Sequence, residues 1–145
     1  MKTGLAESNA QIAAAAAVLL ELRPAFSQPE LIEQIETQRR NGYQIACTEE
    51  DGRVLCVAGF VVGTKLAWGK HIYVDDLVTA EAHRSSGAGA HMLAWLKQYA
   101  RSLGCAQLHL DSGVQRFRAH RFYLREGFVI ASHHFSLTDL APEDR

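Results

Sequence analysis

The stretch LVTAEAHRSSGAGA, residues 77–90, decides the fold of this chain, because it predicts a strand, a short loop and the first turn of a helix. Gly87 and Gly89 lack side chains where the backbone has to turn, so a ligand can approach the backbone amides closely. Amides at the positive end of a helix bind anions, and a pyrophosphate fits such a site. The alternative is that the two glycines only permit a tight turn.

Two common nucleotide-binding patterns are absent from this stretch. Met92 stands where a dinucleotide-binding loop carries its third glycine. No Gly-Lys-Ser/Thr follows the glycines, as it does in nucleoside triphosphatases. The glycine pair therefore predicts an anion site of some other kind.

Outward from this stretch, the spacing of apolar residues predicts alternating helices and strands. Two helices lead the chain, with Asn9 as the cap of the first. The predicted helices are 9–22, 29–40, 87–103 and 116–125. The predicted strands are 43–48, 54–62, 71–79, 106–111 and 128–137, followed by a frayed tail at 141–145. This order indicates an α/β or α+β fold with a mixed sheet, and without repeats or linkers we expect a single domain over 1–145.

The composition is that of an ordinary globular protein. Of 145 residues, 48% are hydrophobic and 21% are charged, which excludes disordered, collagen-like and low-complexity classes. Fifteen Lys and Arg against sixteen Asp and Glu leave a net charge of −1. This balance argues against non-specific nucleic-acid binding, which needs a basic excess.

The cysteines and the longest apolar run also point to an ordinary cytoplasmic protein. Cys47, Cys56 and Cys105 lie far apart and lack the two-residue gap of a zinc or redox motif, so we expect small buried hydrophobic residues in a reducing compartment. The run 12–20 is rich in Ala and Leu, but it is shorter than the about 20 residues that a bilayer requires. It predicts a buried helix.

Two motifs carry a resemblance to a known family. RSSGAG, residues 84–89, resembles the [Gln/Arg]-x-x-Gly-x-[Gly/Ala] pyrophosphate loop of the GNAT superfamily of acyl-CoA N-acyltransferases. AHRFYLREGF, residues 119–128, is similar to that family's Ala-x-x-Phe-Tyr-x-x-x-Gly-Phe segment. The resemblance implies the GNAT fold, a mostly antiparallel central sheet with a splayed parallel pair flanked by helices. It also implies acetyl-CoA as co-substrate and no metal.

The resemblance further implies a role for each matching residue. The backbone of Leu77, Val78 and Thr79 would pair with the pantetheine, and an amide near Leu77 would act as oxyanion donor. The pyrophosphate would be bound by the loop residues Arg84, Ser85, Ser86, Gly87, Ala88, Gly89 and Ala90.

Tyr123 matches the family's general acid, because a phenol of pKa about 10 can protonate a departing thiolate of pKa about 8.5. The alternative is a Tyr packed beside Phe122. Arg116 departs from the pattern, since many members carry Asn there, and it would exchange that contact for a charge-assisted one to phosphate. Glu81 replaces a proline often seen before the loop.

A base is needed because an amine of pKa about 10 is only about one part in a thousand neutral at pH 7. Strand alternation places Tyr73, Asp75, Leu77 and Thr79 on one face and Asp76 on the other, unless a bulge shifts the phase. YVDDL, residues 73–77, is similar to the Tyr-Leu-Glu-Asp-Phe stretch of spermidine/spermine acetyltransferases, whose first carboxylate acts as base through water.

We therefore expect Asp75 to be the base and Asp76 to bind substrate or to support the site. An Asp of pKa about 4 matches an ammonium poorly, so a water relay or a raised pKa is required. The alternative for both residues is a carboxylate at a strand end that accepts hydrogen bonds from backbone N–H groups.

Other polar residues have an ordinary explanation beside a functional one. Four arginines share the helix 116–125, which predicts a solvated basic face or a contact to the 3′-phosphate of CoA. His109, Asp111 and His120 lack standard metal spacing, so hydrogen-bonded histidines are expected. His133 and His134 should lie on opposite faces of the last strand, and one of them could line an acceptor pocket.

The resemblance implies an N-acetyltransferase that acts on a primary amine of a small molecule or protein by direct attack in a ternary complex. Trp68 could shape the acceptor pocket or cap the core. The expected partner is a small-molecule or peptide amine, not nucleic acid or a membrane. A homodimer stays open because acceptor choice must come from a few loops or a neighbouring subunit. The alternatives are a non-catalytic CoA-binding or regulatory module on the same fold, and a nucleotide-phosphate binder.

Overall fold

The computed structural model of this chain describes residues 1–141. It contains two compact units, Met1–Leu110 and a second that begins at Asp111. A single domain over 1–145 stays a prediction. The predicted tail lies outside the described residues except for Ala141.

Within residues 1–141, the first unit contains five strands and three α-helices, and the second contains one α-helix. The strands are β1 (Lys2–Leu5), β2 (Tyr43–Glu50), β3 (Arg53–Lys65), β4 (Gly69–Thr79) and β5 (Gln107–Leu110). The helices are α1 (Asn9–Leu22), α2 (Gln28–Arg39), α3 (Ala88–Ser102) and α4 (Phe117–Arg125), with a short 3-10 turn at Glu81–His83.

The five strands form one mixed sheet in the order β1-β2-β3-β4-β5. The first four pair antiparallel, whereas β4 and β5 are parallel, as the order of predicted elements requires. The parallel pairing joins His71–Val74 to Gln107–Leu110 and goes no further. Because β4 continues to Thr79, its last five residues extend beyond the pairing with β5.

The N-cap of helix α1 lies one residue earlier than the sequence predicts. The cap is Ser8 and not Asn9, because the Ser8 hydroxyl accepts the Gln11 N–H at 3.1 Å. The Gln11 side chain in turn accepts the Ser8 N–H at 3.0 Å, which completes a capping box. The helix ends at Leu22, two residues before Pro24, as predicted.

The prediction that two helices lead the chain is wrong, because strand β1 precedes them. Its four residues pair with β2, with Lys2 opposite Glu49 and Leu5 opposite Ala46. So short a segment carries no alternating pattern of its own, and its conformation depends on the ladder with β2.

The predicted last strand, 128–137, is also wrong. Residues 128–140 form no helix or strand, and within the described residues β5 pairs with β4 alone. An extended segment becomes a strand only where a neighbour receives its backbone hydrogen bonds. Because this segment is not a strand, the prediction that His133 and His134 lie on opposite strand faces is wrong as well. His134 Nδ1 lies 3.3 Å from a carboxylate oxygen of Asp111.

The sheet separates two apolar layers. On one face, α1 and α2 pack Ile12, Leu19 and Ile35 against Val57 and its neighbours. On the other face, α3 places Trp95 and Tyr99 edge-on to Phe60, at ring-centroid distances of 6.4 and 5.8 Å. Because both faces of β3 are covered, its sequence is a nearly continuous apolar run.

Candidate active site

Strand β4 carries a bulge at Asp75. Gly59 of β3 pairs with Asp76 and Phe60 pairs with Val74, so Asp75 is an extra residue without an opposite number on β3. The bulge lies next to Val74, where the pairing with β5 ends. A backbone that bends at this point can present amides and carbonyls that the ladder would otherwise use.

The bulge overturns the predicted assignment of faces on β4. Asp76 pairs with Gly59 and Tyr73 pairs with Val61, two positions on the same face of β3. Leu77 and Thr79 lie on the opposite face. The prediction that Tyr73, Asp75, Leu77 and Thr79 share one face is therefore wrong, because one inserted residue reverses the alternation.

Asp76 is held by two side chains from other elements. Arg23, directly after α1, donates to Asp76 Oδ1 from Nε at 3.0 Å and from Nη2 at 2.8 Å. The Tyr43 hydroxyl donates to Asp76 Oδ2 at 2.7 Å. Arg23 Nη2 also reaches the backbone carbonyl of Asp75 at 3.4 Å. Both oxygens of Asp76 thus have donors, and the bulge is joined to the end of α1.

Tyr43 reaches Asp76 only because Gly59 has no side chain. A Cβ on Gly59 would collide with the hydroxyl and ring of Tyr43. Burial raises the pKa of the Tyr43 phenol far above its usual value, and the Asp76 charge with its hydrogen bond raises the pKa further. Tyr43 is therefore a permanent donor to Asp76 at any physiological pH.

The two carboxylates of the predicted pair differ in environment. The Asp76 side chain is 16% exposed and is engaged by Arg23 and Tyr43. Asp75 is exposed. Sequence reasoning missed Arg23 and Tyr43, because they lie 53 and 33 residues from Asp76 and no local pattern links them.

The predicted anion loop leads directly into α3. Its turn uses two residues of positive φ, Ser85 at 65° and Gly87 at 89°. Gly87 is the N-cap and makes no side-chain cap, and the first intrahelical bond runs from the His91 N–H to the Gly87 carbonyl at 3.0 Å. The amides of Ala88, Gly89 and Ala90 therefore precede the hydrogen-bonded ladder of the helix.

Few side-chain acceptors compete for these amides. The Ser86 hydroxyl accepts the Ala88 N–H at 3.4 Å, a long and weak bond. Ala88 is buried, whereas the preceding loop residues 84–87 are exposed. The arrangement suits an anion that arrives from solvent and accepts hydrogen bonds from the amides of the first helical turn.

The end of β4 carries the other predicted binding residues and is held by burial and by hydrogen bonds to neighbouring elements. Val78 is buried in the core under α1, and Leu77 and Thr79 are half-buried. The Ala80 amide donates to the Leu55 carbonyl at 2.8 Å, and the Glu81 amide donates to the Glu21 carboxylate at 2.8 Å. The segment that would pair with a pantetheine is thus rigidly supported by β3 and α1.

The second unit contains Tyr123 and Arg116. Tyr123 lies on α4, with its ring 5.4 Å from that of Phe122 and 5.8 Å from that of Phe128. Arg116 caps α4 and donates its amide to the Gly113 carbonyl at 3.0 Å. The ring contact with Phe122 does not decide between the predicted acid role of Tyr123 and its alternative, and the chemical roles of Tyr123 and Arg116 stay predictions.

Four aromatic or imidazole rings and one lysine lie close together near the turn that joins β3 to β4, and we call this group the Trp68 cluster. It consists of Lys65, Trp68, His71, Tyr73 and His109. The Trp68 ring stacks on His109 at 3.5 Å between centroids and is nearly parallel to Tyr73 at 6.1 Å. The Lys65 ammonium lies 3.9 Å from the Trp68 centroid.

His109 and His120 make hydrogen bonds, as expected. His109 Nε2 lies 2.7 Å from the Gln107 side-chain oxygen, and His120 Nε2 donates to the Gly113 carbonyl at 2.7 Å. In residues 1–141, no three His, Cys, Asp or Glu side chains come together as metal ligands. Over the same residues, no helix combines the length and apolar character that crossing a bilayer requires.

The three cysteines are free and buried, which confirms the predicted burial. Burial raises the pKa of Cys47 to about 12 and that of Cys56 to about 11. A hydrogen bond with Thr79 lowers the pKa of Cys56 in part. Both thiols stay protonated at neutral pH, so neither supplies a thiolate nucleophile.

Comparison with known proteins gives a consistent result. The model of the acetyltransferase (GNAT) family matches residues 12–128. An uncharacterized N-acetyltransferase of Bacillus subtilis, YhdJ, is 30% identical over 120 residues, which cover 81% of this chain and 84% of the relative. Glucosamine 6-phosphate N-acetyltransferase of Trypanosoma brucei brucei is 27% identical over 114 residues, 70% of this chain and 78% of the relative.

Solved structures share the architecture at low sequence identity. An aminoglycoside N-acetyltransferase in complex with CoA superposes with a TM-score of 0.81 at 10% identity, covering 97% of this chain and 96% of the other. At this identity the likeness concerns the fold alone.

Proposed function

Because the chain belongs to the acetyltransferase (GNAT) family, we propose that it transfers the acetyl group of acetyl-CoA to a primary amine of a small molecule or protein. The observation that carries the proposal is the bulge at Asp75. It lies where the pairing of β4 with β5 ends, and from there β4 continues toward the loop before α3 paired with β3 alone. A bound thioester and an incoming amine could meet at such a point. Transfer is direct, in a ternary complex.

The residues present fit CoA. The amides of Ala88, Gly89 and Ala90 would hold the pyrophosphate, supported by Arg84, Ser85, Ser86 and Gly87 in the loop. The backbone of Leu77, Val78 and Thr79 lies beyond the β4–β5 pairing and would pair with the pantetheine. When bound, acetyl-CoA supplies an acyl thioester whose carbonyl carbon is electrophilic.

The chain's own residues would divide the proton transfers. Asp75, exposed at the bulge, takes the proton of the acceptor ammonium through water. The amine nitrogen then attacks the thioester carbonyl carbon, and an amide near Leu77 stabilises the negative charge on oxygen. As the C–S bond breaks, the nitrogen releases its second proton to water, which returns a proton to the Tyr123 oxygen after Tyr123 has protonated the sulfur. The Tyr123 hydroxyl protonates the departing sulfur, and Arg116 would contact a phosphate of CoA.

Asp76 has a supporting role in this scheme. Its carboxylate already accepts hydrogen bonds from Arg23 and Tyr43, which leaves little capacity for moving a proton. The high pKa values of Cys47 and Cys56 favour direct transfer over an acyl-cysteine intermediate. A non-catalytic module is not favoured, because the relatives of this chain carry the names of N-acetyltransferases.

Ligand-dependent melting tests the binding half of the proposal. Acetyl-CoA or CoA at 100 times its Kd should stabilise the protein by about 2.7 kcal/mol, whereas ATP should have a much smaller effect. Thiol release with a panel of amines then tests transfer. Absence of any CoA-dependent shift would contradict the proposal, and a shift without thiol release on any amine would favour a binding module.

Substitutions separate the residue roles. Tyr123→Phe should lower kcat by about 10²-fold or more and leave the CoA-induced melting shift intact, with Tyr99→Phe as the matched control. Asp75→Asn should lower kcat at neutral pH without a loss of stability, because Asp75 is exposed. Asp76→Asn should lower the melting temperature instead. The reverse pattern would exchange the roles of the two carboxylates.

A further inference from the structure

A cation already lies against the face of Trp68. The Lys65 ammonium is 3.9 Å from the Trp68 ring centroid and 5.8 Å from that of Tyr73. We propose that the Trp68 cluster is a subsite for a second, non-reacting cationic group of the acceptor, and that Lys65 occupies it in the absence of substrate. This inference rests on the proposed function and names the class of amine that the site prefers.

The cluster is built from strand geometry. Tyr73 pairs with His109 across the parallel strands, and His71 precedes Tyr73 by two residues, so both β4 side chains lie on one face. Trp68 ends the turn between β3 and β4 and folds back over them. Three rings from β4 and β5 therefore support one indole.

The indole offers one occupied face and one face for a cation. His109 stacks on Trp68 with an interplanar angle of 10° and 3.5 Å between centroids. Lys65 Nζ lies 3.9 Å from the same centroid. Two groups cannot share one face at such distances, so they lie on opposite sides of the ring. The cation side is the side that a ligand can use.

The indole is held in place from its edge. His71 is 4% exposed, and its Nδ1–H donates to the Gly69 carbonyl at 2.9 Å. The His71 ring meets Trp68 edge-on at 5.0 Å, with an interplanar angle of 88°. Gly63 lies opposite His71 on β3. A fixed aromatic face binds a cation with little further loss of side-chain freedom.

The cluster borders the proposed site of transfer. Tyr73 is two residues before the bulge residue Asp75, about 7 Å along the strand. His109 is one residue before Leu110, where the β4–β5 pairing ends. An acceptor with its reacting nitrogen at the bulge and a second cationic centre several ångströms away would span both places.

The chemistry of the cluster favours a cation over an anion. The face of an indole ring is electron-rich and attracts ammonium or guanidinium groups. Lys65 is exposed, so its flexible side chain can leave the indole for solvent at small cost. An arriving cation therefore competes with an ammonium that water readily accepts. Competition predicts a measurable effect when Lys65 is removed.

A non-reacting probe tests the subsite apart from catalysis. The chain has two tryptophans, so Trp95→Phe leaves Trp68 as the only indole fluorophore. Tetramethylammonium chloride, against sodium chloride of equal ionic strength, should change that fluorescence saturably. Lys65→Met should tighten the binding about two- to fivefold, and Tyr73→Leu should weaken it. Lys2→Met is the matched control, because it removes the same charge elsewhere.

Acceptor kinetics in the chain that retains both tryptophans give a second readout. The KM for 1,4-diaminobutane should be lower than that for butylamine, and Lys65→Met should widen the ratio about two- to fivefold. Trp68→Leu should abolish the difference. Glucosamine 6-phosphate carries an anionic group in place of a second cation. Its KM should therefore not fall when Lys65→Met removes the competing ammonium from the indole.

The outcomes separate the two proposals. Binding of tetramethylammonium without acetylation of any amine would support the subsite and contradict the proposed function. The subsite would be overturned if the chain acetylates amines but shows no saturable fluorescence response to tetramethylammonium, both in Trp95→Phe and in Trp95→Phe combined with Lys65→Met. Equal responses with Lys65→Met and Lys2→Met would also overturn it, since the effect would then come from the loss of a positive charge anywhere on the chain and not from Lys65 leaving the indole.

Discussion

Arg23 donates two hydrogen bonds to one oxygen of Asp76, from Nε at 3.0 Å and from Nη2 at 2.8 Å. The same guanidinium contacts the carbonyl of Asp75, so the residue after α1 holds both members of the bulge on β4. Because a bulge interrupts the ladder, its conformation depends on contacts such as these. Arg23 is accordingly a positioning residue for the proposed site.

Arg23→Gln should lower kcat with little change in the KM for acetyl-CoA, because the bulge loses its tie to α1. The Arg23 side chain is 47% exposed, so we expect only about 1 kcal/mol of lost stability. Chemical denaturation and steady-state kinetics provide the two measurements. Arg39→Gln is the control, since Arg39 forms a half-buried pair with Glu36 on α2, within one helix and away from β4. Equal kinetic effects of both variants would refute the positioning role.

Gly59→Ala should destabilise the protein by about 2–4 kcal/mol, since a methyl group there collides with Tyr43. The displaced Tyr43 hydroxyl would also leave Asp76 with one donor fewer. Urea denaturation measures the loss. Gly4→Ala on β1 serves for comparison, because nothing lies within 4 Å of a Cβ at that position. A stability loss no larger than that of Gly4→Ala would be incompatible with the packing described.

Gly87→Ala should weaken CoA binding. Gly87 has φ 89°, and a side chain there costs about 1–2 kcal/mol of backbone strain or shifts the amides that open α3. The CoA-induced rise in melting temperature should shrink beyond what the stability loss explains. Gly104→Ala imposes the same kind of strain, at φ 78°, after the opposite end of α3. An unchanged response to CoA in Gly87→Ala would show that this loop does not bind the phosphates.

Stability should fall as the pH rises above about 9. The folded-state pKa values of Cys47 and Cys56 are raised to about 12 and about 11, so the unfolded chain loses these protons first. Their contribution is complete below the unfolded pKa and is lost as the pH rises through the folded values. Each thiol contributes a slope of about 1.4 kcal/mol per pH unit between those limits.

Cys47→Ala isolates one of these contributions. Denaturation between pH 8 and 10.5 should show a slope shallower by about 1.4 kcal/mol per pH unit above pH 9 than in the unchanged chain. The constant loss from removing a buried sulfur does not alter the slope. Identical slopes would mean that Cys47 titrates alike in the folded and unfolded states.

Local patterns carried most of the fold. The boundaries of α1 and α3 follow from runs of apolar residues and from Pro24 and Gly87, which act over a few neighbours. The strands β2, β3 and β4 follow from apolar runs between turn residues. The two errors about strands, β1 and the segment 128–137, concern extended segments whose state depends on a distant partner strand. The hydrogen bonds between strands cannot be predicted from the residues of either segment alone.

The site divides in the same manner. By itself the sequence determined the loop 84–90, the start of α3, the pair of adjacent carboxylates and the family, because each is a short run of specific residues. Only the tertiary structure decided that Asp75 is the extra residue of a bulge and that Arg23 and Tyr43 hold Asp76. The reason is physical: the phase of a strand is set by its register with β3, and a carboxylate finds its donors wherever the fold brings them.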